Sequence, residues 1–173
     1  MNMTIIDTIY KRSLEILKFL ESQNEVTYKS DYDEVFKKTL VLSIASYFES
    51  SICQIILKFT EDKTQNNNRI YNFVKNKGVS RQYHTYFNWD GKNANSFFSL
   101  FGDDFKNNCE KIIKSDSELE NALRAFLELG ETRNRLVHLN FADYPLSKTS
   151  DEYYNLYCKA IRFVTFIECE LNK

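Results

Sequence analysis

Four glycines and one proline in 173 residues leave this chain few means of reversing direction tightly. Hairpins and sharp turns are built from left-handed or fixed-φ positions, which these two residue types supply best. Long helices joined by polar loops are therefore expected, and the apolar residues do recur at helical rather than alternating spacing. With 43% hydrophobic and 15% aromatic residues the chain can fill one sizeable core, and it is short for two. The expectation is one all-α domain over residues 1–173. Its architecture would be an up-down bundle of about five major helices with an irregular aromatic-rich insertion at about 78–102.

The periodicity locates those helices. From about Thr4 to Gln23, Ile5, Ile9, Ile16, Leu17 and Leu20 share one side, and the polar stretch SQNEVTYKS then ends the pattern. It restarts at Asp31, with Ser30 or Asp31 as N-cap, and runs to about Thr60 with Val41, Ile44, Ala45, Phe48, Ile52, Ile55, Ile56 and Phe59 on a broad apolar face. This should be the longest and most buried helix. After the loop EDKTQNNN, Arg69 to Lys77 reads as a short helix stopped by Gly78. Helix resumes over Asp103 to Lys114, and Ser115 to Glu118 matches a capping box opening the next. A second box, Thr149 to Glu152, opens a final helix to about Leu171, in which Tyr153, Tyr154 and Tyr157 form a core or dimer surface.

Charge and cysteine usage exclude several functions. Lys+Arg 23 against Asp+Glu 24 creates no global field towards nucleic acid or membrane, so any basic site must be local. Cys53, Cys109, Cys158 and Cys169 form no C-x-x-C pair and read as inert packing residues of a reduced, cytoplasmic protein. No run approaches the ~20 apolar residues of a bilayer span, so no membrane association is expected. Two histidines without suitably spaced partners make no zinc site. Glycine-rich phosphate loops, nucleophile elbows and kinase signatures are missing; neither metal nor cofactor is called for.

The chemistry concentrates in Glu131-Thr-Arg-Asn-Arg-Leu-Val-His-Leu-Asn140. Leu119, Ala122, Leu123, Phe126 and Leu129 form a helical stripe that continues through Arg133 and Val137, so an arginine has landed on the inner face. An unpaired buried guanidinium is costly. Arg133 must be paired within the fold, lie at a subunit interface, or face an anionic ligand. Asn134 and His138 are four apart and share a face, whereas Arg133 lies about 140° around the helix from His138. A site shared between two facing copies would relieve that offset. An imidazole exchanges protons near neutral pH, a guanidinium holds phosphate through two hydrogen bonds, and an asparagine can orient either. These parts suffice for metal-free RNA cleavage by internal transphosphorylation; they equally suit an ion-paired arginine and a helix-capping histidine.

Arg133-Asn134-x-x-x-His138 in the setting ETRNRLVHLNFADY resembles the HEPN superfamily, whose signature is R-x4-6-H with a polar residue after the arginine. It is most similar to the RiboL-PSP-HEPN branch of stand-alone domains. The resemblance covers Asp31 to Phe141 and implies an α-helical homodimer with apposed motifs and metal-independent endoribonuclease activity of toxin or antiviral type. Arg133 and His138 would be the catalytic pair, Asn134 their polar partner, and Glu49 on the long second helix an ion-pair partner steering Arg133. Where some relatives carry a tyrosine that a partner nucleotidyltransferase modifies, this chain departs from the pattern with Asn140, which speaks against control by that route. Partners implied are an RNA substrate, a second copy, and an antitoxin or partner effector.

Arg81 and His84 lie in Arg81-Gln-Tyr-His-Thr-Tyr-Phe, where basic and aromatic groups interleave. They are candidate contacts to single-stranded RNA; the other reading is a loop tucking its aromatics onto the core. Two rivals to the enzyme stand: a non-catalytic HEPN-like module that binds RNA, nucleotide or protein, and a structural dimerisation protein.

Overall fold

The computed structural model describes residues 3–65 and 67–173. All regular structure among them is helical: α1 Ile5–Ser22, α2 Val26–Lys63, α3 Asn68–Phe73, α4 Tyr83–Tyr86, α5 Asn95–Ser99, α6 Asp103–Ser115, α7 Ser117–His138 and α8 Ser150–Leu171. Five of these, α1, α2, α6, α7 and α8, are the major helices of an all-α bundle.

Side-chain pairs give the directions. The pairs Thr4–Tyr157, Asp7–Tyr154 and Tyr10–Asp151 rise along α1 as they fall along α8, so these two are antiparallel. Asp33–Ser150, Tyr47–Tyr157 and Lys58–Glu168 rise together, so α2 and α8 are parallel. Phe48 meets Phe126 and Lys38 meets Phe141, which sets α7 antiparallel to α2. Phe126 is the hub, with Phe48, Phe87 and Phe163 within 5.4 Å, 5.0 Å and 5.1 Å between ring centroids. Truncating such a fully buried ring costs about 3–5 kcal/mol.

Several boundaries differ from the periodicity reading, each for a local reason. The break after α1 is only Gln23 to Glu25, because Asn24 takes φ 57° and the Asn24 and Glu25 amides close the helix end by donating to the Glu21 and Leu20 carbonyls. The chain then enters α2 at once. Ser30 and Asp31 are interior residues, not caps; the first turns of α2 project into solvent, with Val26 and Tyr28 exposed, and so carry no apolar stripe to read. At its other end α2 runs through Glu61 to Lys63, leaving a shorter loop than EDKTQNNN suggests. Within that stretch Asn67 caps α3, accepting from the Arg69 and Ile70 amides at 3.1 Å and 3.2 Å, and Asn66 lies outside the described residues.

Gly78 does not stop a helix. The chain widens there into a π-helical turn, Val74–Val79, and turns away through Arg81 at φ 60°. The box at Ser115 is also displaced: Asp116 is the N-cap of α7, accepting from the Leu119 amide at 3.0 Å, and it pairs Arg162 of α8 at 2.7 Å. The Thr149–Glu152 box has both its bonds.

Two face assignments change. On α1 it is Ile6 and Ser13 that are buried, while Ile5 and Ile16 are exposed, because α1 covers only the outer edge of α2 and α8. On α7 the buried stripe passes through Leu136, and Val137 is 51% exposed. Cys158 and Cys169 are exposed rather than packed; Cys109 is buried and Cys53 half-buried. Tyr153 and Tyr157 belong to the core. Finally, α2 is long enough to cross a membrane and contains an 18-residue window of mean hydropathy 1.6, against the expectation that no run qualifies. The bundle supplies a use for that composition: Leu40, Val41, Ile44, Phe48 and Ile52 of α2 are buried against its neighbours.

Candidate functional site

Apolar spacing positions the end of α7. Leu129 and Leu136, 0% and 1% exposed, lock the helix against the core on one side. Arg133, Asn134 and His138 then border a space beside Ala45, Phe48 and Glu49 of α2. Between them opens a cavity of about 410 Å³ lined by Glu49, Arg81, His84, Arg133, Asn134 and His138 among polar residues, with Phe48, Tyr83, Trp89, Phe126 and Leu129 as apolar wall. All six residues singled out from the sequence border this one space.

Arg133 and Asn134 are half-buried, while His138, Glu49, Arg81 and His84 are exposed at the rim. The arginine Nη1 donates to Asn134 Oδ1 at 3.1 Å. No ion pair to Arg133 is formed among the described residues, whose arginine pairs are Arg124–Glu120, Arg135–Glu131 and Arg162–Asp116. Glu49 therefore lines the cavity without the ion pair to Arg133 that the family resemblance implied. The 140° offset between Arg133 and His138 is bridged within one chain: α7 continues unbroken through His138, and the long arginine side chain reaches the same cavity beside Asn134. A second copy is not needed to bring these two groups together.

The insertion closes the far side. Tyr86, Phe87, Phe97 and Phe98 are buried, so the aromatics do tuck onto the core, while Arg81 and His84 remain outside on the cavity rim. The core-tucking reading of that stretch therefore holds for its aromatics. Trp89 sits directly on α7 at Gly130: a Cβ there would lie 2.0 Å from Trp89 Cε3. The indole Nε1 donates to the His84 carbonyl at 3.1 Å. Gly130 thus serves close packing, without a break in the helix.

The electrostatics agree with this geometry. Burial pushes the Tyr83 phenol well above its ordinary value; the charges of Glu49 and Cys53 push the same way and the Arg133 guanidinium opposes them. Burial also raises the Cys53 thiol, with Glu49 adding to it, which disfavours the reactive thiolate. Among the described residues no three His, Cys, Asp or Glu side chains converge as metal ligands.

Sequence reasoning missed three contributors. Trp89 and Tyr83 reach the cavity only through the fold of the insertion. Lys38, 5% exposed, donates to the carbonyls of Phe141 and Ala142 at 3.0 Å and 2.9 Å and lies over the Phe141 ring, pinning the segment after His138 to α2. A lysine on the inner face of α2 was the available signal for it.

An all-α bundle with arginine, asparagine and histidine from the end of one helix lining an open cavity fits the HEPN resemblance. The RiboL-PSP-HEPN family model matches residues 7–173, nearly the whole chain, and the protein belongs to that family. Neither the curated proteins nor the solved structures returned a match.

Proposed function

We propose that the protein is a metal-independent endoribonuclease of toxin or antiviral effector type. Its reaction is attack of a ribose 2′-hydroxyl on the adjacent phosphorus, with His138 exchanging protons, Arg133 holding the phosphate and stabilising the charge of the pentacoordinate transition state, and Asn134 orienting the guanidinium. Arg81 and His84 contact the RNA strand on the opposite rim, and Glu49 limits how closely the anionic backbone approaches α2. The observation that carries this reading is a half-buried arginine with no carboxylate partner among the described residues, held by a side-chain amide at the wall of an open cavity. A guanidinium placed so is supplied with an anion by a ligand more simply than by the fold.

HEPN domains often bind RNA and dimerise, and the reading includes a cytoplasmic homodimer in which the two cavities share a cleft. Exposed Val137, Leu139 and Phe141 immediately beyond the cavity provide apolar surface for a second copy.

The test is cleavage of mixed-sequence RNA in EDTA by the wild type, His138→Ala and Arg133→Ala. Wild-type cleavage reduced by about 10²–10³-fold or more in each variant is expected. RNA binding without cleavage by the wild type would instead identify a non-catalytic module, and equal cleavage by all three would place the activity elsewhere.

A further inference from the structure

The chain has only two histidines, and both border the same cavity. His138 closes the last turn of α7 and His84 lies in the short helix α4, and both line the space that Arg133 and Asn134 also line. The position of His84 is not left to a free loop. Its carbonyl is held by the Trp89 indole, and that indole is seated on Gly130, one turn before Arg133 on the helix that carries His138. The connection from one histidine to the other therefore runs through two close contacts, and neither contact uses the imidazole.

Internal transphosphorylation needs two proton transfers on opposite sides of the phosphorus. One group takes the proton from the 2′-hydroxyl as its oxygen forms the new P–O bond. A second gives a proton to the 5′-oxygen as the P–O5′ bond breaks and that oxygen keeps the bonding pair. The products are a 2′,3′-cyclic phosphate and a 5′-hydroxyl, and the two groups exchange protonation states. A single imidazole cannot reach both apical oxygens at once.

We propose that His84 and His138 are the two proton-transfer groups of one chain's cavity, with Arg133 holding the phosphate between them. This rests on the ribonuclease reading and makes His84 a catalytic residue rather than a strand contact alone. Each cavity is then complete in its acid–base pair without a histidine from a second copy.

The test compares RNA with nucleoside 3′-(4-nitrophenyl phosphates) of all four bases, whose leaving group departs without a proton. The proteins are wild type, His84→Ala, His84→Asn and His138→Ala, each checked by thermal melt; His84 is exposed, so the fold should persist. On RNA both histidine sites should lose about 10²–10⁴-fold in kcat. On the aryl esters the variants at one site, whichever supplies the leaving-group proton, should return to within about tenfold of wild type while the other site's stay impaired. If the His84 variants stay impaired on both substrates, the pH–rate profile decides: loss of its acidic limb marks His84 as the base, and a profile with both limbs intact marks a structural role and would overturn the proposal. Full RNA cleavage by His84→Ala would also overturn it, pointing to a partner's histidine and leaving the ribonuclease reading intact. Wild type without activity on RNA would remove both together.

Discussion

At Gly130 one missing methyl group makes room for a wall of the cavity. Alanine would favour the helix by about 1 kcal/mol, but its Cβ would fall 2.0 Å and 2.1 Å from Trp89 Cε3 and Cζ3, and the ring edge there is rigid. Forced repacking of this sort costs about 1–3 kcal/mol, so Gly130→Ala should be destabilising on balance. Trp89 is the only tryptophan, which makes its emission a direct probe. The expected result is a red-shifted spectrum and a lower Tm, with His84 released from its carbonyl anchor; an unshifted spectrum would contradict the contact. At this scale the motif residues were readable because Arg133 falls on an apolar stripe of the helix, with Asn134 and His138 following at the motif's spacing. The partner of Gly130 was not, since nothing in local spacing connects position 130 to position 89.

Among the elements, α1 is held to α8 by a polar seam. Asp7 closes the capping box of α1 through the Thr4 amide at 2.7 Å and accepts from the Tyr154 hydroxyl at 2.8 Å, while Tyr10 stacks on Tyr154 at 3.8 Å between ring centroids. Burial opposes the charge on Asp7, but the Thr4 amide, the Tyr154 and Thr4 hydroxyls and Lys11 together hold its pKa below the ordinary value. A carboxylate depressed in the folded state contributes stability above its unfolded pKa of about 3.9 and loses it as pH falls through the folded value. Asp7→Asn should therefore cost about 1–2 kcal/mol at pH 7, and the gap to wild type should close as the pH drops below about 4. Denaturant melts at pH 7 and at pH 3 check this, and an equal gap at both would refute it. Helix starts were legible where the cap acts locally, as at Thr149. They were displaced where tertiary partners or solvent exposure intervened, as at Asp116, which also pairs Arg162, and at Val26, where no apolar stripe marks the first turns.

For the whole molecule, the proposed homodimer makes a prediction about mass. Light scattering on the 20.5 kDa chain should return twice that value. Val137→Glu with Leu139→Glu, both exposed at 51% and 53%, should return a folded monomer, because like charges on an apolar contact are repelled and desolvated together. A mass unchanged by the double substitution would move the interface elsewhere. By itself the sequence determined the all-α class, the five major helices and the residues of the motif. Those follow from scarce glycine and proline, from 3.6-residue periodicity and from side-chain chemistry, all of which act within a few residues along the chain. Only the tertiary structure decided that Arg133 and His138 line one cavity of a single chain, that Glu49 does not pair the arginine, and that Trp89 and His84 border the same cavity. Those depend on how an aperiodic insertion is laid across α7 by the packing of Phe87, Phe97 and Phe126, and packing between distant segments has no period to read.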